Sequence, residues 1–176
     1  MDKIFIGFLL IFLDFNLFFG YSQIGLIPDF VGYIVMIKGL EEMARESTRF
    51  ETVKPYAIIM AVYTGILYYM DFTGITFSMG GLSLLLGVLD SVISLSISYN
   101  IVMGVIDMEI KYNTLLNGYM LKATWTILAI FSILSYVVMF YTAIAMLCII
   151  IGFIASICFL VAFSNAKNKY YYIVGN

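Results

Sequence analysis

ATWTILAIFSILSYVVMFYTAIAMLCIIIGFIASICFLVAFSNA, residues Ala123–Ala166, holds no charged side chain, and its reading decides the fold. As an α-helix at ~1.5 Å per residue it would be about 66 Å long, against about 30 Å for the hydrocarbon of a bilayer. It is therefore two crossings, with a turn near Phe140-Tyr141-Thr142. The rest of the chain repeats this form. The nine cations fall into groups: Lys3; Lys38, Arg45, Arg49 and Lys54; Lys111 and Lys122; Lys167 and Lys169. Each gap between groups is long enough for two crossings, so three helical hairpins put every cation on one side, as the positive-inside rule requires.

The sequence predicts an all-α integral membrane bundle of six transmembrane helices in one domain. The spans fall at about 4–19, 24–40, 56–70, 82–106, 123–140 and 143–164, with both termini cytoplasmic and the chain multi-pass in the plasma membrane. Composition agrees. Only 11% of residues are charged and mean hydropathy is +1.04, whereas about a quarter of a soluble domain is charged. The longest polar stretch, Lys38–Pro55, is too short to bury a core of its own. Lys3 followed by Ile4–Leu13 has the look of a signal peptide, but Asp14 interrupts the run and no small-residue cleavage site follows, so it reads as an uncleaved first span.

Span 2 is the least regular. Pro28-Asp29 suits a first helical turn, and the helix from Pro28 to Leu40 is short for a crossing. Either it continues through Glu41–Phe50, with Leu40, Met43, Ser47 and Phe50 on one face and Glu41 paired to Arg45, or the first hairpin is re-entrant. Pro55 is read as the start of span 3, and Asp71-Phe72-Thr73-Gly74 as an outer turn. The polar segment Asp107–Leu121 is read as an inner loop with an interfacial helix. Tyr21, Tyr56, Tyr68, Tyr69, Tyr112, Tyr119, Tyr141 and Tyr170–Tyr172 sit at predicted boundaries as an aromatic belt.

Histidine is absent. This removes Ser–His and Cys–His nucleophilic schemes and HExxH zinc sites. Cys148 and Cys158 are about 15 Å apart along a helix, too far for a disulfide. Glu41-Glu42-Met43-Ala44-Arg45 has one residue too few for the paired-glutamate motif of CAAX-type membrane proteases, and the aspartate run of phosphatidyl-alcohol transferases is missing. The chain reads as a non-enzyme with no catalytic residue, metal site or cofactor, and no basic surface large enough for nucleic acid.

Two acids stand inside apolar helices, Asp14 and Asp90, at similar depth in the outer half. A carboxylate there costs several kcal/mol and faces the bundle interior or a wet cavity. No Lys, Arg or His within a span can pair with either. They read as a proton or cation site or as an anchor for a solute; the plainer reading is two protonated carboxyls bonded between helices. Asn16, Ser91 and Ser94 would supply hydrogen bonds. Asp29 is an outer-interface candidate and more simply a capping residue. Ser83, Gly87, Asp90, Ser91, Ser94 and Ser98 form a small polar stripe, and Cys148, Gly152 and Ser156 a small-residue packing face.

Ile27-Pro28-Asp29-Phe30-Val31-Gly32-Tyr33-Ile34 resembles a PDF(V/I)GY stretch in a family of small multi-span membrane proteins of Gram-positive bacteria. The resemblance covers some 30 residues around the first two spans and implies location and topology without an activity. In size and topology the chain is also similar to the substrate-binding S-components of energy-coupling-factor transporters, though it lacks their small AxxxA-type face on the first span. The leading expectation is a subunit that binds or conducts a small solute or cation. The second is a non-catalytic accessory or scaffold subunit, homo-oligomeric or packed on a partner membrane protein, whose small-residue face would point outward to lipid.

Overall fold

The computed structural model describes residues 1–12, 16–19, 22–25, 28–75 and 81–175; for 16–19 and 22–25 it describes the backbone alone. Among the described residues six helices follow in order: α1 (Asp2–Phe12), α2 (Asp29–Met43), α3 (Thr48–Phe72), α4 (Gly81–Tyr112), α5 (Gly118–Val137) and α6 (Thr142–Val174). A short antiparallel ribbon, β1 (Asn16–Phe19) with β2 (Ser22–Gly25), lies between α1 and α2, with Asn16 opposite Gly25. The three helices α4, α5 and α6 are long and apolar enough to cross a membrane.

Each helix packs on the next in sequence, and α6 returns to α1, so the bundle closes into a ring. Aromatic packing makes that closure. Phe8 of α1 meets Phe159 and Phe163 of α6 edge-on, at centroid distances of 5.2 and 5.4 Å, pairs each worth about 0.5–1.5 kcal/mol beyond burial. α1 and α2 touch through glycine. A Cβ at Gly7 would stand 2.8 Å from the Gly32 carbonyl oxygen, and one at Gly39 would stand 2.7 Å from Ile4. Phe50 of α3 fills the space over Gly104 of α4.

The buried core sits towards one end. In α4 it runs from Ile97 to Met108, and in α5 from Gly118 to Ala129. The charges gather at that same end. Lys3 pairs with Glu42, Lys54 with Glu41, Arg49 with Asp107 (2.9 Å), Lys111 with Glu46 (2.8 Å) and Lys167 with Asp2 (3.0 Å). The Lys167 hydrogen bond holds the Asp2 carboxyl below its ordinary range. The exposed pairs among these contribute little to stability. Their significance is placement: side chains from α1, α2, α3, α4 and α6 form one ionic collar.

The structure departs from the sequence reading in four places. The helix expected over 4–19 ends at Phe12, and Asn16–Phe19 is a strand; Leu17-Phe18-Phe19 has the aromatic content that favours extended chain. The helix expected to run through Glu41–Phe50 breaks at Ala44–Glu46. Ser47, in extended conformation, caps a new helix by accepting from Arg49 N. Leu40, Met43, Ser47 and Phe50 are nonetheless all buried, and Glu41 pairs with Lys54 instead of Arg45. Pro55 lies inside α3 instead of starting it. The segment 107–121 forms no separate interfacial helix. α4 runs on to Tyr112, and the turn to α5 uses Asn113 and Asn117 at φ +49° and +75°, a conformation asparagine tolerates better than most residues. The turn expected near Phe140–Thr142 is present, between Val137 and Thr142.

Candidate functional site

The stretch Pro28–Tyr33 reaches three helices in six residues. Pro28, extended at φ −66°, precedes α2, and Asp29 occupies its first turn. Phe30 packs edge-on to Tyr68 of α3 at 6.0 Å. Gly32 lies against Gly7 and Ile11 of α1. Tyr33, only 2% exposed, turns to α4, where its hydroxyl lies within electrostatic reach of Ser94 and Asp90, and of Asp29 on its own helix. Helical spacing places Asp90 and Ser94 one turn apart on the same face of α4.

α3 meets α4 one turn before Asp90. Tyr63 lies within electrostatic reach of that carboxyl and donates its hydroxyl to the Leu86 carbonyl at 2.8 Å. The Asp90 Oδ1 is buried and has no hydrogen-bond partner among the described residues. Buried acceptors are nearly always satisfied, so a carboxyl oxygen left open at Asp90 is an exceptional feature. A proton, a cation or a donor group on a solute would satisfy it.

The structure divides the serine stripe. Ser94 joins Asp90 and Tyr33. Ser91 faces the other way, to α5, where it shares a hydrogen bond of 2.9 Å with the Tyr136 hydroxyl, which also donates to the Gly87 carbonyl at 3.1 Å. Ser98 accepts from Trp125 Nε1 at 2.9 Å, and Trp125 packs on Tyr99 at 4.8 Å. Gly87, Ser91 and Ser98 thus fasten α4 to α5, while Asp90 and Ser94 face α2 and α3. Asp14 lies outside the described residues. Asn16 is placed on β1 by its backbone alone. Asp29 shares the electrostatic environment of Tyr33.

On α6, the expected packing face borders open space. A Cβ at Gly152 would meet nothing within 4 Å, and Cys148, Gly152 and Ser156 line a cleft of about 290 Å³ with Ser91 and Tyr136. Both cysteines are free, Cys148 buried and Cys158 exposed. No group of three metal-binding side chains occurs among the described residues.

Tyr33 and Tyr63 were missed by the sequence reading, yet a signal for them exists. Tyr33, Tyr63, Tyr99 and Tyr136 are the four tyrosines left over when the boundary tyrosines are assigned to the aromatic belt, and all four make contacts around α4.

The fold and site define a helical protein with three helices, among the described residues, suited to a membrane, and with Asp90 enclosed on one of them. Compared with known proteins, the chain matches no family model, no curated protein and no solved structure.

Proposed function

We propose that this chain is a six-span plasma-membrane subunit, both termini cytoplasmic, that binds or conducts a small solute or cation at Asp90. The observation that carries the reading is the buried Asp90 Oδ1, without a hydrogen-bond partner among the described residues, with Tyr33 of α2 and Tyr63 of α3 within electrostatic reach of the carboxyl. The ionic collar, which gathers cations from every basic group of the chain, supports one cytoplasmic end. α1 and α2 are 11 and 15 residues long, about 16 and 22 Å as helix. In this reading the ribbon, packed on α3 through β2, completes the first hairpin. Non-helical backbone at that depth is tolerated where protein covers it.

The accessory-subunit reading predicts a small-residue face turned to lipid. The Cys148, Gly152 and Ser156 face fits that prediction, since a Cβ at Gly152 would meet nothing within 4 Å; against the accessory reading, Gly7, Gly32, Gly39 and Gly104 are all occupied by contacts within the chain, and Ser91 bonds inward to Tyr136. Native mass spectrometry of gently purified protein tests the proposal. A small molecule or cation retained by the native chain and lost in Asp90→Asn is the expected result. A bare chain bound stoichiometrically to another membrane protein would overturn it.

A further inference from the structure

The turn between α4 and α5 and the last turns of α6 enclose a groove of about 490 Å³, lined by Thr114, Leu115, Asn168, Lys169, Tyr172 and Ile173. Its walls are apolar and open: Leu115 is 84% exposed and Tyr172 76%. Lys169 differs from the collar lysines. Lys3, Lys54, Lys111 and Lys167 are each neutralised by a carboxylate. Lys169 has only the neutral Asn117 Oδ1 at 3.3 Å, and no carboxylate among the described residues lies within ion-pair distance. Beside it, Thr114 Oγ1 is buried without a hydrogen-bond partner.

We infer that this groove seats the headgroup of an anionic phospholipid, its phosphate on Lys169 with Asn168, and its glycerol and first methylenes along Leu115 and Ile173. The inference rests on the reading of the collar as a membrane-facing end. An unpaired ammonium beside apolar walls at that level matches a ligand carrying negative charge and hydrocarbon together. Free phosphate satisfies only the first, and an apolar segment of another protein only the second.

The test uses the full chain in nanodiscs of equimolar phosphatidylglycerol and phosphatidylcholine, released gently for native mass spectrometry. Phosphatidylglycerol should be retained about fivefold over phosphatidylcholine, the preference of one lysine for an anionic surface. Lys169→Gln should abolish that preference and Lys169→Arg restore it, with thermal unfolding unchanged in both. Equal retention of the two lipids, or a preference untouched by Lys169→Gln, overturns the inference. So does displacement by millimolar inorganic phosphate, which would assign the groove to free anion. If Lys169→Gln does not fold, Leu115→Asn is read instead and should weaken retention. Labelling of an Asn168→Cys variant from outside intact cells would overturn the cytoplasmic placement of this end, while a phosphatidylglycerol preference lost in Lys169→Gln would still support the groove.

Discussion

Gly7 and Gly32 bring α1 and α2 to backbone contact: a Cβ on either glycine would stand within 3.0 Å of the other's carbonyl oxygen. No rotamer change can relieve a clash with backbone. The contact also fixes the rotation of α2, and so aims Tyr33, the next residue, at Ser94 and Asp90. Gly32→Ala should therefore destabilise by about 1–3 kcal/mol, the usual cost of overpacking, and weaken any ligand held at Asp90. Gly152→Ala is the control. Its Cβ meets open space, and alanine gains roughly 0.5–1 kcal/mol over glycine within a helix. Thermal unfolding in detergent would separate the two, and a Gly32→Ala variant as stable as the native chain would refute the contact.

Asp90→Asn keeps shape and removes the ionisable group. Because Oδ1 has no partner to lose, stability should change by less than about 1 kcal/mol, well below the roughly 1–3 kcal/mol of leaving a bonded acceptor unpaired. Binding of a cation should be lost. Unchanged binding alongside unchanged stability would dismiss Asp90 as the ligand group.

Glu46 ties three elements together. It takes Lys111 and Tyr112 on Oε2, both at 2.8 Å, and Tyr170 on Oε1 at 3.3 Å. Burial pushes its carboxyl up, but the hydrogen bonds from Lys111 and Tyr112, with the Lys111 charge, outweigh it and hold the group below its ordinary 4.5. A carboxyl lowered on folding contributes stability that is present above 4.5 and lost as pH falls through the folded value. Melting temperature should drop on acidification below 4.5, and Glu46→Gln should flatten that part of the profile. Identical profiles for both proteins would exclude Glu46 as the source.

Trp125 is the single tryptophan of the chain, so its fluorescence reports one site, where Nε1 donates to Ser98 and the ring packs on Tyr99. Ser98→Ala should shift the emission and reduce stability by about 1–3 kcal/mol, the range for leaving a buried donor unpaired. An unaltered spectrum would place the indole elsewhere.

Much of the architecture is readable before any coordinates. The charge-free run Ala123–Ala166 fixes two long apolar helices and a turn between them, and the structure has α5, α6 and a break at Val138–Tyr141. The nine cations mark one end. Helix boundaries at the polar segments were less legible. The end of α2 and start of α3 depend on a local choice, the Ser47 cap, reinforced by a distant one, the Ser47 hydroxyl donating to Asp107 at 2.8 Å. Nothing within 44–47 announces that partner.

The chain's apolar lengths and basic clusters by themselves determined a helical membrane protein with its cations at one end. Only the tertiary structure decided which side of α4 meets which neighbour: Asp90 and Ser94 turned to Tyr33, Ser91 turned to Tyr136. The reason is physical. A helix in water shows its buried face by hydrophobic periodicity, but lipid is as apolar as a protein core. Hydropathy along α4, α5 and α6 therefore carries length without direction. Direction is set by glycine contacts and by a few hydroxyls reaching between helices, which have meaning only once the helices are side by side.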